Sequence, residues 1–196
     1  MGALIDIGNL LVQTIFYLYI LAVLLRFLLQ LSRADFYNPI SQALVKLTSP
    51  TLNPLRRIIP GIGGIDIAAI ILVLLLQSLA TVLLLLLAGI GINFNPAFLV
   101  IWGALGTIGI IVNIYLVAIL VSIIISWVSP GTYNPIVVLL QQLTEPVMKP
   151  VRNIIPPMGG LDLSPIFVFL AINVLKIILG HLGAAVGLPG SYVIGA

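Results

Sequence analysis

Two arginines and two aspartates carry most of the chemical information in this sequence. Arg56 and Asp66 stand ten residues apart, and Arg152 and Asp162 repeat that spacing 96 residues further on. A guanidinium fork at a membrane surface can hold an anionic lipid headgroup or a partner's carboxylates. The same arginine can instead pair with its own aspartate and fix the loop between them. Both readings stay open on these residues alone. Two aspartates brought together could also share a proton as a catalytic dyad. Each, however, follows a Pro/Gly segment where an apolar helix begins, and capping that helix is the simplest use of a carboxylate there. Pro60, Gly63 and Gly64 precede Asp66, and Pro156, Gly159 and Gly160 precede Asp162. These residues stop a helix and permit a tight turn.

Four polar residues interrupt the apolar runs: Gln77, Asn113, Asn173 and Lys176. Gln77 and Asn173 are again 96 apart. They could line a permeation path together with Lys176, or hydrogen-bond between helices while the lysine reaches outward. Gly103, Gly106 and Gly109, three apart, allow a neighbour to approach closely, and packing within the chain is the expected use. His181 is the one histidine and the chain has no cysteine. There is no thiolate site, no disulfide and no histidine cluster for a metal or haem. No Ser/His/Asp order and no phosphate-binding Gly loop occurs either. We expect no catalytic residues, no metal and no cofactor, and a protein that is not an enzyme.

The elements that must position these residues follow from composition. Of 196 residues, 61% are apolar and 7% charged, against about half and about a quarter in a soluble domain. Mean hydropathy is +1.30. Ile7 to Leu25 and Ile67 to Thr144 are uncharged throughout, and the second run is 78 residues long. As one helix it would measure about 117 Å, so it must fold back across a bilayer that takes about 20 residues per span. Asp6 stands where a secretory signal carries lysine or arginine, so the first apolar stretch reads as a retained span. Four spans are expected, about Leu4 to Leu31, Ile67 to Ile92, Ala97 to Val128 and Leu163 to Gly187. GINFNP turns the chain between the second and third. Trp102 and Trp127, about 37 Å apart along a helix, suit the two interfacial belts.

The two long polar segments are copies of one another. Tyr37 to Asp66 matches Tyr133 to Asp162 at 16 of 30 positions without a gap. The chain is therefore all-α and built from two tandem units, residues 1–92 and 97–187, followed by a short tail at 188–196. An even number of spans per unit makes the repeats parallel. Pro39 to Leu47 and its copy read as short amphipathic helices lying in the interface. The three later matching prolines of each copy predict that no single helix runs on through them. Arg33, Lys46, Arg56, Arg57, Lys149 and Arg152 all fall in the two long loops. The positive-inside rule makes those loops cytoplasmic and both termini outward, with Arg26 reaching down to the inner surface. The net charge of +3 is too dispersed for direct nucleic-acid binding. The expected partners are the bilayer, including anionic headgroups, and a membrane protein or a second copy of the chain.

The pattern LT-x-P-x3-P-x-R-x-IIP-x2-GG-x-D, present twice beside four spans, resembles the YggT/YlmG family of small bacterial and plastid membrane proteins. The resemblance covers essentially the whole chain. Ser126 and Trp127 match the family's Ser-Trp, where the first half has Gln30 and Leu31; Ser164 matches its Ser after Asp, where the first half has Ala68. The halves have diverged at these positions. The resemblance implies an integral protein of the bacterial inner membrane without an established reaction, in a family linked to cell division and nucleoid organisation, cytochrome-complex assembly and osmotic tolerance. A non-enzymatic assembly or organising factor acting through its cytoplasmic loops is the leading expectation. An oligomeric channel or solute transporter is the alternative.

Overall fold

A computed structural model describes residues 2–91, 95–128, 134–155 and 162–196. The described residues form six helices: α1 (Gly2–Leu31), α2 (Pro39–Ile58), α3 (Ile67–Leu87), α4 (Ala97–Val128), α5 (Pro135–Ile154) and α6 (Ser164–Ala185). Helices α1, α3, α4 and α6 are long and apolar enough to cross a membrane, at 30, 21, 32 and 22 residues. Their flanks also carry large apolar side chains in the open, Leu10, Ile15, Leu75, Leu170 and Ile177 among them. In water such a surface would drive aggregation, whereas lipid satisfies it. This is a membrane protein.

Each repeat folds as a long apolar helix, a 20-residue amphipathic helix and a second apolar helix. The amphipathic helices begin alike. Asn38 Oδ1 accepts from the Ile40 N–H at 3.0 Å and Asn134 Oδ1 from the Ile136 N–H at 2.9 Å, each with proline at the first helical position, where a missing donor costs nothing. Contrary to the expected break, α2 runs through Pro50 and Pro54, and α5 through Pro146 and Pro150. The spacing of four explains this. Both prolines of each pair fall on the exposed side of their helix, so the carbonyls they leave unpaired face outward, where water or headgroups can serve them. Pro60 does end α2, just after a cap in which the Ile59 N–H donates to the Leu55 carbonyl at 2.8 Å.

The inward side of α2 meets α1 and the linker after it through a series of polar contacts. Ser41 Oγ donates to the Asp35 carbonyl at 2.9 Å, Arg26 bonds Thr48 Oγ1 at 2.7 Å, and the Tyr19 hydroxyl bonds Thr51. As α2 proceeds its partners move back along α1, so the two helices run in opposite senses. The main core joins both repeats: Ile20, Val23 and Leu28 of α1, Leu52 of α2, Val73 of α3, Ile110 and Ile114 of α4, and Leu139 and Leu143 of α5. A smaller cluster of Val112, Ile119, Met148, Val168 and Ile172 holds α6 to α4 and α5.

The segment after α6 turns back into the bundle. Gly187 supplies a left-handed φ of 60° at the end of α6, and the Leu188 N–H returns to the Gly183 carbonyl at 2.9 Å. Val193 and Ile194 are buried. The glycine stripe of α4 makes room for them, as the close distances from hypothetical Cβ atoms show: at Gly106 the Ile194 carbonyl lies 2.6 Å away, and at Gly109 the Gly195 carbonyl overlaps. Packing within the chain is thus the stripe's use: Gly103 lies against Leu74 and Gln77 of α3, and Gly106 and Gly109 against the tail. Trp102 is absorbed in the same way. It is buried and donates Nε1 to the Val186 carbonyl at 3.1 Å, at the end of α6. The Trp127 side chain lies outside the described residues.

Candidate functional site

The Arg and Asp of each repeat meet at the foot of the second span. In the first repeat the end of α2 presents Arg56, whose Nε donates to Asp66 Oδ2 at 3.1 Å while Nη2 reaches the same oxygen. The Asp66 side chain is 5% exposed. Its other oxygen accepts from the Ala69 N–H at 3.2 Å, so one carboxylate both caps α3 and anchors α2. The turn joining these elements is a two-residue hairpin, with paired Ile62 and Ile65 N–H···O bonds of 3.1 and 3.0 Å. Gly63 and Gly64 occupy its centre at φ 62° and 84°, the doubly left-handed geometry that glycine adopts without a steric penalty.

The second repeat builds a looser version. Arg152 Nε donates to Asp162 Oδ2 at 2.8 Å, and Nη1 turns to Glu145 Oε2 at 2.9 Å. Asp162 accepts from the Ser164 N–H at 2.9 Å. The capping position of α6 is occupied by Leu163, without a side-chain cap bond, so Asp162 sits one residue earlier than the N-cap expected of it. Its side chain is 32% exposed. Partial burial opposes ionisation of Asp162, but the Ser164 N–H and the Arg152 guanidinium outweigh it and hold the carboxyl below its ordinary range. Burial likewise opposes charge on Arg152, yet its two carboxylates raise its pKa above the usual arginine value. Pro156, Gly159 and Gly160 lie outside the described residues. Each aspartate is engaged by the arginine of its own repeat, which is the loop-fixing geometry rather than a shared-proton dyad.

The two amphipathic helices also touch across the repeat boundary. Asn38 Nδ2 donates to the Pro135 carbonyl at 2.8 Å, and the Asp35 N–H to Gln142 Oε1 at 3.0 Å. These bonds join the starts of the two helices, and each helix carries the arginine of its Arg/Asp pair near its other end. Around these helices stand exposed apolar residues: Tyr37 at 90%, and Ile58 and Ile154 at 80% each.

Of the candidate intramembrane polar residues, Asn113 and Lys176 meet, while Gln77 and Asn173 are engaged elsewhere. Gln77 is fully buried and donates Nε2 to the Ile194 carbonyl at 2.9 Å. Its repeat equivalent, Asn173, is exposed and bonds the Phe169 carbonyl of its own helix at 2.8 Å. Lys176 donates to Asn113 Oδ1 at 3.0 Å, tying α6 to α4 rather than reaching outward unpaired. His181 joins no metal-binding group among the described residues.

Sequence reasoning missed Arg26 as a structural residue. Expected to reach down to the inner surface, it is buried and bonds Thr48 Oγ1 at 2.7 Å, Ser49 Oγ at 3.2 Å and the Val45 carbonyl at 3.4 Å. The available signal was Thr48 on the inward face of α2. Its repeat equivalent is Thr144, whereas position 122, equivalent to 26, is a serine.

Comparison with known proteins fits this architecture of two similar halves. The model of the family described as CCB3/YggT matches twice, over residues 5–87 and 101–183. The chain belongs to the CCB3/YggT family. It is 37% identical over 191 residues to the uncharacterised protein YggT of Escherichia coli K12, covering 93% of this chain and 96% of that one. An uncharacterised protein of Pseudomonas aeruginosa is 47% identical over 178 residues, 90% of each chain. A plant relative, chloroplastic YlmG homolog protein 2 of Arabidopsis thaliana, is 42% identical over 64 residues, 31% of this chain and 24% of its own. No solved structure matches this YggT-family chain.

Proposed function

We propose that this chain is a non-enzymatic protein of the bacterial inner membrane that organises or assembles other membrane components through the platform formed by α2, α5 and the two Arg/Asp-anchored turns. In this reading the four apolar helices cross the membrane as two parallel repeats, the platform faces the cytoplasm and both termini face outward. The positive-inside distribution of Arg33, Lys46, Arg56, Arg57, Lys149 and Arg152 supports that orientation. The observation that carries the reading is where the polar structure is concentrated. Caps, cross-repeat hydrogen bonds and ion pairs all belong to α2, α5 and the segments that flank them, while Gln77, Asn173 and Lys176 are separately engaged. Arg56 and Arg152 keep partly exposed side chains that can also meet anionic headgroups or a partner's carboxylates.

The test is a split between two sets of alanine variants in a strain lacking the chromosomal copy, scored for growth after osmotic upshift and for division morphology. The organising role predicts loss of function on changing Arg56, Arg152 or Gly64, and tolerance at Asn173 and Lys176. The reverse pattern would replace it with transport by an oligomeric channel.

A further inference from the structure

The two repeats differ where Arg26 sits. Its guanidinium fills the space enclosed by α1, α2 and α3, held by Thr48, Ser49 and the Val45 carbonyl. Ninety-six residues on, Arg26 becomes Ser122, Val45 becomes Gln141, Thr48 remains threonine as Thr144, and Ser49 becomes Glu145. With the long side chain gone, a cleft of about 730 Å³ opens between α4, α5 and α6, and Ser122, Gln141, Thr144 and Glu145 all line it. The groups that receive a guanidinium in one repeat therefore face open space in the other.

Charge points the same way. The equivalent region of the first repeat holds two arginines and Asp66. The charged residues lining the cleft of the second are Glu145, Asp162 and Arg152, so two carboxylates share one guanidinium. The change of Ser49 to Glu145 places a formal negative charge where Arg26 finds a neutral hydroxyl. The Glu145 side chain, 52% exposed and paired through Oε2 with Arg152, has acceptor capacity left for a second counter-charge.

We infer that the cleft of the second repeat binds a ligand carrying a primary ammonium or guanidinium group, seated where Arg26 sits in the first repeat and held by Glu145 and Thr144. The cation takes the free lone pairs of the Glu145 carboxylate and the Thr144 hydroxyl oxygen, and Arg152 keeps its bond to Asp162. A quaternary ammonium has no N–H to donate and fits this site poorly. Ile119, Ile123 and Ile166 also line the cleft, giving the cation's carbon chain an apolar wall. The chemistry is shared by two sources, the amine of an ethanolamine phospholipid and a soluble organic cation. The inference does not depend on the organising role.

The test uses the full chain in discs of phosphatidylcholine, which lacks N–H donors. Two probes are applied separately: phosphatidylethanolamine doped into the discs and scored by native mass spectrometry, and putrescine or methylguanidinium scored by thermal shift. Ser122→Arg supplies the missing side chain from within and should abolish binding while raising thermal stability. Glu145→Gln removes the surplus charge and should weaken binding about tenfold or more, the scale of one charge-assisted hydrogen bond. Retention of about one ethanolamine lipid per chain, lost in Ser122→Arg, identifies the lipid as the source. Stabilisation by the soluble cations with the same variant sensitivity identifies a soluble ligand. Binding of neither probe overturns the inference, as does binding unchanged in Glu145→Gln; that variant preserves side-chain volume and decides the matter even where Ser122→Arg does not fold.

Discussion

Replacing Gly106 by alanine tests how firmly the segment after α6 is built into the bundle. The new Cβ would stand 2.6 Å from the Ile194 carbonyl oxygen and 2.9 Å from Val193 Cγ1, where ordinary contact begins near about 3.5 Å. The segment must retreat by roughly 1 Å, because a carbonyl oxygen cannot rotate away as a side-chain tip can. That retreat breaks the 2.9 Å bond from Gln77 Nε2 to Ile194. Gln77 is fully buried, and its Oε1 already has no hydrogen-bond partner among the described residues, so the lost bond costs about 1–3 kcal/mol. Alanine returns about 0.5–1 kcal/mol of helix propensity to α4, and lost packing of Val193 and Ile194 offsets that gain. Their transfer to lipid adds little, since lipid tails are as apolar as the core. The net is about 2 kcal/mol toward the displaced segment, or roughly 30-fold in the opening equilibrium. The absence of cysteine from the chain allows a single Val193→Cys reporter, whose maleimide labelling follows the open population when reclosing is fast. Gly106→Ala should raise the labelling rate roughly 30-fold. Gly180→Ala on α6, with nothing within 4 Å of its added Cβ, should leave it unchanged. Equal rates in Gly106→Ala and its parent would refute the seating of the tail.

Three other predictions concern the Arg/Asp platform. Gly64→Ala places a side chain at φ 84° with open space around it, so it should destabilise by about 1–2 kcal/mol through backbone strain alone, read by unfolding in mild detergent. Asp66→Ala removes a buried cap and ion-pair partner together, and should cost about 3 kcal/mol; Asp162→Ala, at a more exposed site, should cost less, and equal losses would contradict the difference between the repeats. The Asp162 carboxyl is depressed in the folded state, so its stabilising contribution is complete above the ordinary carboxylate pKa of about 3.9 and is lost as pH falls through the lower folded value. Thermal stability of Asp162→Asn followed between about pH 5 and pH 3 should therefore fall less steeply than that of the parent.

The sequence carried the architecture in features that depend on one dimension alone. Apolar runs bounded by charge located the four long helices to within a few residues, and a fixed offset of 96 revealed the repeat. The Arg/Asp spacing and the paired glycines were equally visible. What remained hidden depends on which side of an element faces a neighbour. Pro50 and Pro54 read as breaks because a proline costs a hydrogen bond, yet on the exposed side of α2 the freed carbonyl is served from outside. The tail GLPGSYVIGA has no long apolar period, and its seat is built by residues distant in sequence, Gly106 and Gly109 of α4 with Gln77 of α3 and Gln13 of α1. Arg26 and Ser122 differ by one residue type, but the consequence, a filled space in one repeat and a cleft in the other, depends on three helices at once. Gln77 and Asn173 occupy equivalent positions and have unrelated surroundings, because the tail brings the Ile194 carbonyl to Gln77 whereas Asn173 bonds a carbonyl of its own helix.

The most direct test of the organising role is extraction of the chain into native-lipid discs, followed by mass spectrometry of what remains bound, comparing wild type with the Arg56→Ala, Arg152→Ala double variant. The account predicts a stoichiometric membrane protein or anionic lipid that the double variant loses. A partner-free homo-oligomer, identical in both samples, would contradict it.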